Sequence, residues 1–179
     1  MTNGGNQNKG VLSALSPTSR HQLIGEITSL LICSQLHRKY LVNDIGLVFF
    51  PPINHNQFRL YKVGQEPVAL VTWAYLTKET ENRYVLGDDG LAADDWNAGD
   101  RGWIIDFLAP FGHAKQVAYD LKNNIFPNQV ARAIRVDSNG CTKRIYKLHG
   151  NHVAKRFKRL KNTACIYSSN QKTLPGHQI

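Results

Sequence analysis

The segment Trp103-Ile104-Ile105-Asp106-Phe107-Leu108, closed by Ala109-Pro110-Phe111-Gly112, constrains this chain more than any other. It is apolar on both sides of one carboxylate, which reads as a strand in the middle of a sheet, covered on both faces. Pro and Gly then end it. Burying a carboxylate without a partner is costly. Asp106 therefore needs a cation or several hydrogen-bond donors. The candidates are an imidazole, in a functional reading, or Arg132 or Arg135, in a purely structural one.

The rest of the pattern builds a domain around that strand. Leu23, Ile24, Ile27, Leu30, Leu31 and Ser34 recur at three- and four-residue spacing, predicting an amphipathic helix over 19–34 opened by Pro17 and Thr18. The compact run Ile45–Phe50, closed by Pro51-Pro52, predicts a strand. Gln57–Val63 and Val68–Tyr75 predict an antiparallel hairpin about Gly64-Gln65-Glu66-Pro67. A short helix is expected within 79–89, and a helix start or tight turn at Asp94-Asp95-Trp96. His113–Asn123 shows Val117, Ala118 and Leu121 at helical spacing. Gln129–Val136 and Thr142–His149 predict two more strands. This order gives a mixed α/β (α+β) domain with a largely antiparallel sheet flanked by helices. The expected boundaries are a flexible tail over 1–17, a folded domain over 18–150 and a basic extension over 151–179. Within the extension, Val153, Phe157 and Leu160 fall on one face of a possible helix.

The 179 residues suit a single domain, and 42% apolar content suffices for a core. No stretch approaches the ~18–20 apolar residues of a membrane span, and the Asn/Gly/Gln-rich start has no apolar run for a signal peptide. A cytoplasmic location follows as the expectation. Cys33, Cys141 and Cys165 are odd in number, far apart and without metal spacing, and are read as reduced and structural. Residues 1–137 hold 13 basic and 13 acidic side chains. No acid follows Asp137, so the net charge of +9 lies in Lys143, Arg144, Lys147, Lys155, Arg156, Lys158, Arg159, Lys161 and Lys172. Such a patch attracts an acidic partner.

An ordered series of short motifs runs from residue 22 to 150: Leu36-His37-Arg38, Asn56-Gln57-Phe58, Thr72-Trp73-Ala74, Gly99-Asp100-Arg101, Ile105-Asp106 with Ala109-Pro110-Phe111-Gly112, Phe126-Pro127, and Arg132-Ala133-Ile134-Arg135-Val136-Asp137. In content and order it resembles the toxin-activating lysine acyltransferases. These bacterial enzymes move a fatty acyl group from acyl carrier protein onto internal lysines of an RTX protoxin. The resemblance implies a GCN5-related acetyltransferase-like fold, which the order of elements also fits. It further implies acyl carrier protein as co-substrate with no permanently bound cofactor, a protoxin partner, and often a homodimer. It departs from the family pattern at Gln35 and Leu41, where Pro is common, and at His113, where an acid or amide is more usual.

A lysine amine is mostly protonated near neutrality and needs a base before it attacks a thioester. Imidazole suits that task, and the resemblance implies His37 as the base with Asp106 orienting it. Ser34, three residues before His37, either hydrogen-bonds the ring or serves an oxyanion. Adjacent Cys33 points about 100° away if helical and is a poor nucleophile candidate. Arg38, Arg132 and Arg135 are candidates for substrate or carrier contacts, and 132 and 135 fall on opposite strand faces. The amides of Gly112 and His113 are expected to face a phosphopantetheine phosphate at a helix start. A rival reading is a small nucleic-acid-binding module over 143–161, with Tyr146 and Phe157 as stacking platforms. No recognition motif surrounds them.

Overall fold

The computed structural model describes residues 17–87, 90–136 and 142–153. They form α1 (Pro17–Ile32), α2 (Val42–Asn54), β1 (Phe58–Val63), β2 (Glu66–Leu76), α3 (Lys78–Leu86), β3 (Arg101–Leu108), α4 (Ala114–Asp120), β4 (Val130–Val136) and β5 (Thr142–His149), with short 3-10 turns at His37–Lys39 and Ala93–Asp95. The expected N-terminal tail and the basic helix about Phe157 and Leu160 lie outside the described residues. No helix among the described residues is long and apolar enough to cross a membrane.

The five strands form one sheet in the order β1-β2-β3-β4-β5. Every neighbouring pair is antiparallel except β3 and β4, which run parallel. This is the mixed, mostly antiparallel architecture expected, with Asp106 on the central strand. On β2 the side chains alternate strictly. Leu70, Ala74 and Leu76 face the layer of α1, α2 and α3, while Ala69, Val71 and Trp73 face α4. All three tryptophans are core: Trp73, Trp96 and Trp103 are each 8% exposed or less.

Two irregularities in β3 shape the site. Its register against β2 slips by one between Val71–Phe107 and Trp73–Ile104, so Ile105 and Asp106 together oppose Thr72. This bulge changes which face the even-numbered side chains take. Ile104 packs with Val117 and Leu121 on the α4 side, whereas Leu108 packs with Ile27, Leu30 and Phe49 on the other. Asp106 is thereby turned toward α1–α3. The second irregularity is on the β4 side. Only Trp103–Arg132 and Ile104–Ala133 pair, and beyond them the two parallel strands separate.

One expected element is different. Residues 45–50 are not a strand but part of α2, which runs through Pro51 and Pro52. Phe49 and Ile53 are buried one helical turn apart, with Ile45 packed against the same cluster. Periodicity cannot separate a strand from a buried helix in so short an apolar run. Asp44 supplies the start signal, its Oδ2 accepting from the Leu41 amide at 2.8 Å. The expected helix over 113–123 is also shorter: α4 gives way after Asp120 to a π-helical turn, Leu121–Ile125.

Candidate active site

His37 is held by local geometry just beyond α1. The helix ends at Ile32, and the Ser34 amide donates to the Leu31 carbonyl at 3.0 Å. The Arg38 amide then donates to the Ser34 carbonyl at 2.9 Å, closing the turn that carries the imidazole. Only 8% of His37 is exposed. Its Nδ1 lies 2.7 Å from Ser34 Oγ, and its Nε2 lies 3.4 Å from Asp106 Oδ1. Tyr40 meets the ring edge-on, with centroids 5.3 Å apart.

Asp106 is 6% exposed and belongs to the bulge. Its Oδ2 accepts from the Thr72 hydroxyl at 3.0 Å, and its own amide donates to the same hydroxyl oxygen at 3.0 Å. One side chain thus satisfies both the carboxylate and a backbone donor that the bulge removes from the ladder. An ionised carboxylate only accepts. Nε2 therefore carries the ring proton toward Asp106, and Nδ1 presents its lone pair to the Ser34 hydroxyl. Burial first, and the Asp106 carboxylate second, push the Tyr40 and Tyr84 phenols well above the usual tyrosine range. Both stay neutral beside the pair.

A cavity of 1930 Å³ opens over this pair. It runs from α2, through the gap between β3 and β4, to β5. Its walls include Tyr40, Phe50, Tyr84 and Phe107 as well as His37, Asp106 and Arg135. That exceeds the ~300–1,000 Å³ of common small-ligand pockets. An imidazole poised on a buried carboxylate in an apolar cleft is equipped to take a proton from a nucleophile.

A model of the RTX toxin acyltransferase (HlyC) family matches residues 16–149. The chain belongs to that family. Among its relatives, the RTX-I toxin-activating lysine-acyltransferase ApxIC of Actinobacillus pleuropneumoniae is 38% identical over 136 residues, 76% of this chain and 78% of that one. The protein-lysine myristoyltransferase HlyC of Escherichia coli is 35% identical over 136 residues, covering 76% and 79%. An uncharacterised protein, sll0720, of Synechocystis sp. is 37% identical over 121 residues, covering 66% and 82%.

In this acyltransferase the other residues singled out from sequence fall in different places. Ser34 joins the His37–Asp106 pair. Arg38 is exposed and stands outside the cavity wall, while Arg135 lines it. Arg132 points to the opposite side of β4, where its Nε lies 3.3 Å from the buried Glu81. Neither arginine meets Asp106, so the structural ion pair considered for that carboxylate does not form. Gly112 and His113 do not line the cavity, and the Gly112 amide donates to the Ala109 carbonyl at 3.3 Å. Cys33 is exposed and free rather than part of the core; Cys141 and Cys165 lie outside the described residues. Thr72, Tyr40 and Tyr84 were missed. Of these, only Thr72 carried a signal, as a hydroxyl inside a nearly continuous apolar strand.

Proposed function

We propose that this protein is a lysine Nε-acyltransferase that activates an RTX protoxin, taking a fatty acyl group from acyl carrier protein in the cytoplasm. The observation that carries this reading is the Ser34–His37–Asp106 arrangement at the wall of one cavity, in a chain whose relatives are named lysine acyltransferases. The separation of the parallel strands β3 and β4 beside a bulge supports the GCN5-related acetyltransferase-like fold, because it opens a slot through the sheet for a thioester arm.

The acceptor ammonium gives one proton to solvent, and as the resulting amine attacks, its second proton passes to His37 Nδ1 by way of the Ser34 hydroxyl that already donates there. Asp106 stabilises the imidazolium formed. The amine nitrogen attacks the thioester carbonyl, the C–N bond forms, and the C–S bond breaks. The thiolate leaves and takes the proton that His37 holds. Transfer is direct. Acylation of His37 itself is disfavoured because both ring nitrogens are engaged. The apolar cavity wall accommodates the acyl chain and excludes water that would hydrolyse the thioester.

The test is intact-mass analysis of a candidate protoxin incubated with the protein and acyl carrier protein bearing a defined fatty acyl chain. The wild type adds one acyl mass per modified lysine. His37→Ala adds none while its circular dichroism stays native. Normal acylation by that variant would end the assignment.

A further inference from the structure

The cavity has a second wall that the His37–Asp106 pair does not use. On the β4–β5 ladder Ala133 pairs with Tyr146 and Arg135 with Arg144, so these side chains share one face. Ala131, Ala133 and Leu148 of that face pack with Val117 and Leu121, which places Arg135, Tyr146 and Arg144 on the α4 side. Arg135 Nη1 donates to the Tyr146 hydroxyl at 3.0 Å, and the Arg144 guanidinium lies 5.0 Å from the centre of the same ring. Arg135 and Tyr146 line the cavity together with Lys122, which follows α4. Arg59, Arg83, Arg101 and Arg132 each meet a carboxylate. Among the described residues Arg135, Arg144 and Lys122 meet none. The Arg135 and Arg144 charges meet at the Tyr146 ring, at the edge of a cavity whose carboxylates, Asp44, Asp94 and Asp106, come from α2, the Ala93–Asp95 turn and β3.

We propose that Arg135, Tyr146 and Arg144 bind the phosphodiester that joins a pantetheine arm to its carrier. The arm then passes between β3 and β4 to reach His37 and Asp106 on the opposite face. This rests on the donor proposed above and adds where the donor's one fixed charge is held. A guanidinium offers paired N–H donors to phosphate oxygens. The Tyr146 hydroxyl accepts from Arg135 and keeps its own hydrogen to donate. The site lies where the slot through the sheet opens, so an anion bound there has its chain already directed inward. The lysine acceptor approaches from the α1–α3 side, and the two substrates do not compete for one entrance.

Binding of wild type and Arg135→Gln to two forms of acyl carrier protein decides the matter. One form carries the phosphopantetheine arm, and the other has the bare serine. Arg135 is exposed, so the substitution leaves the fold intact. The site predicts that Arg135→Gln weakens binding of the arm-bearing form about tenfold and leaves the bare form unchanged. In turnover it raises KM for the acyl carrier about tenfold with kcat within twofold. Tyr146→Phe, which frees Arg135 from its partner but keeps the ring, shows the same pattern more weakly. An equal loss on both forms assigns Arg135 to the acidic surface of the carrier and overturns the site, as does no loss on either. A wild type that binds neither form removes the carrier as donor, and the site with it. Failure confined to the variants removes the site alone.

Discussion

At the scale of single residues, the site turns on how a buried carboxylate is satisfied. Among the described residues Asp106 has one cationisable partner, His37, and one hydroxyl, Thr72. Asp106→Asn keeps the volume but loses the charge that supports the imidazolium; kcat falls by about 10²–10⁴ with the fold retained, as single-turnover acyl transfer reads. Thr72→Val leaves the Asp106 amide unpaired and lowers the unfolding free energy by about 1–3 kcal/mol in a urea titration, whereas Thr72→Ser restores most of it. The need of Asp106 for a partner was legible in the sequence because a charge among Ile, Phe and Leu demands an explanation. The part played by Thr72 was not, since threonine in a strand is ordinary β-former chemistry. Ser34 was legible only as a neighbour. Whether its hydroxyl reached the ring depended on α1 stopping at Ile32 and the chain tightening into a 3-10 turn.

At the scale of elements, α3 is fastened by one buried side chain. Glu81, 6% exposed, accepts from Trp103 Nε1 at 3.1 Å and meets Arg101 at 3.0 Å, Arg132 at 3.3 Å and Lys78 at 3.3 Å. It ties α3 to β3 and β4 beneath the cavity, where Tyr84 packs edge-on against Trp103. Glu81→Ala strands an indole donor and clustered cations, and denaturant unfolding shows a loss of about 3–5 kcal/mol. The strands and the hairpin could be read in advance because alternation and the Gly64 turn are local signals. Helix α2 could not, because Ile45–Phe50 is too short and too uniformly apolar to show a period and Pro51-Pro52 argued against a helix. Burial of Phe49 and Ile53 against α1 and the sheet outweighed the two missing amides.

At the scale of the whole molecule, ionisable groups limit stability at both ends of the pH range. Burial first raises the phenols of Tyr40, Tyr61 and Tyr84, with carboxylates adding to it. A raised folded-state value means the stabilisation is complete below the unfolded tyrosine pKa of about 10 and is lost as pH climbs beyond it. Melting temperature therefore falls from about pH 10 upward, and Tyr84→Phe flattens that fall. At the acid end, burial of Asp120 is outweighed by hydrogen bonds from Asn124, Tyr61 and Arg59, which hold it below the usual carboxylate value. That contribution is present above the unfolded pKa and is lost as pH falls through the folded one. The mixed sheet with its mostly antiparallel order was legible from the succession of elements. The parting of β3 from β4 was not, because it arises from register and no residue type announces it. Register also makes the break in alternation along β3 a specification of its own. Were the side chains of β3 to alternate without a break from Ile104 to Leu108, the strand would zip flat and its oily side chains would still find cover. The carboxylate would then surface beneath α4, leaving a well-built housing with no works inside.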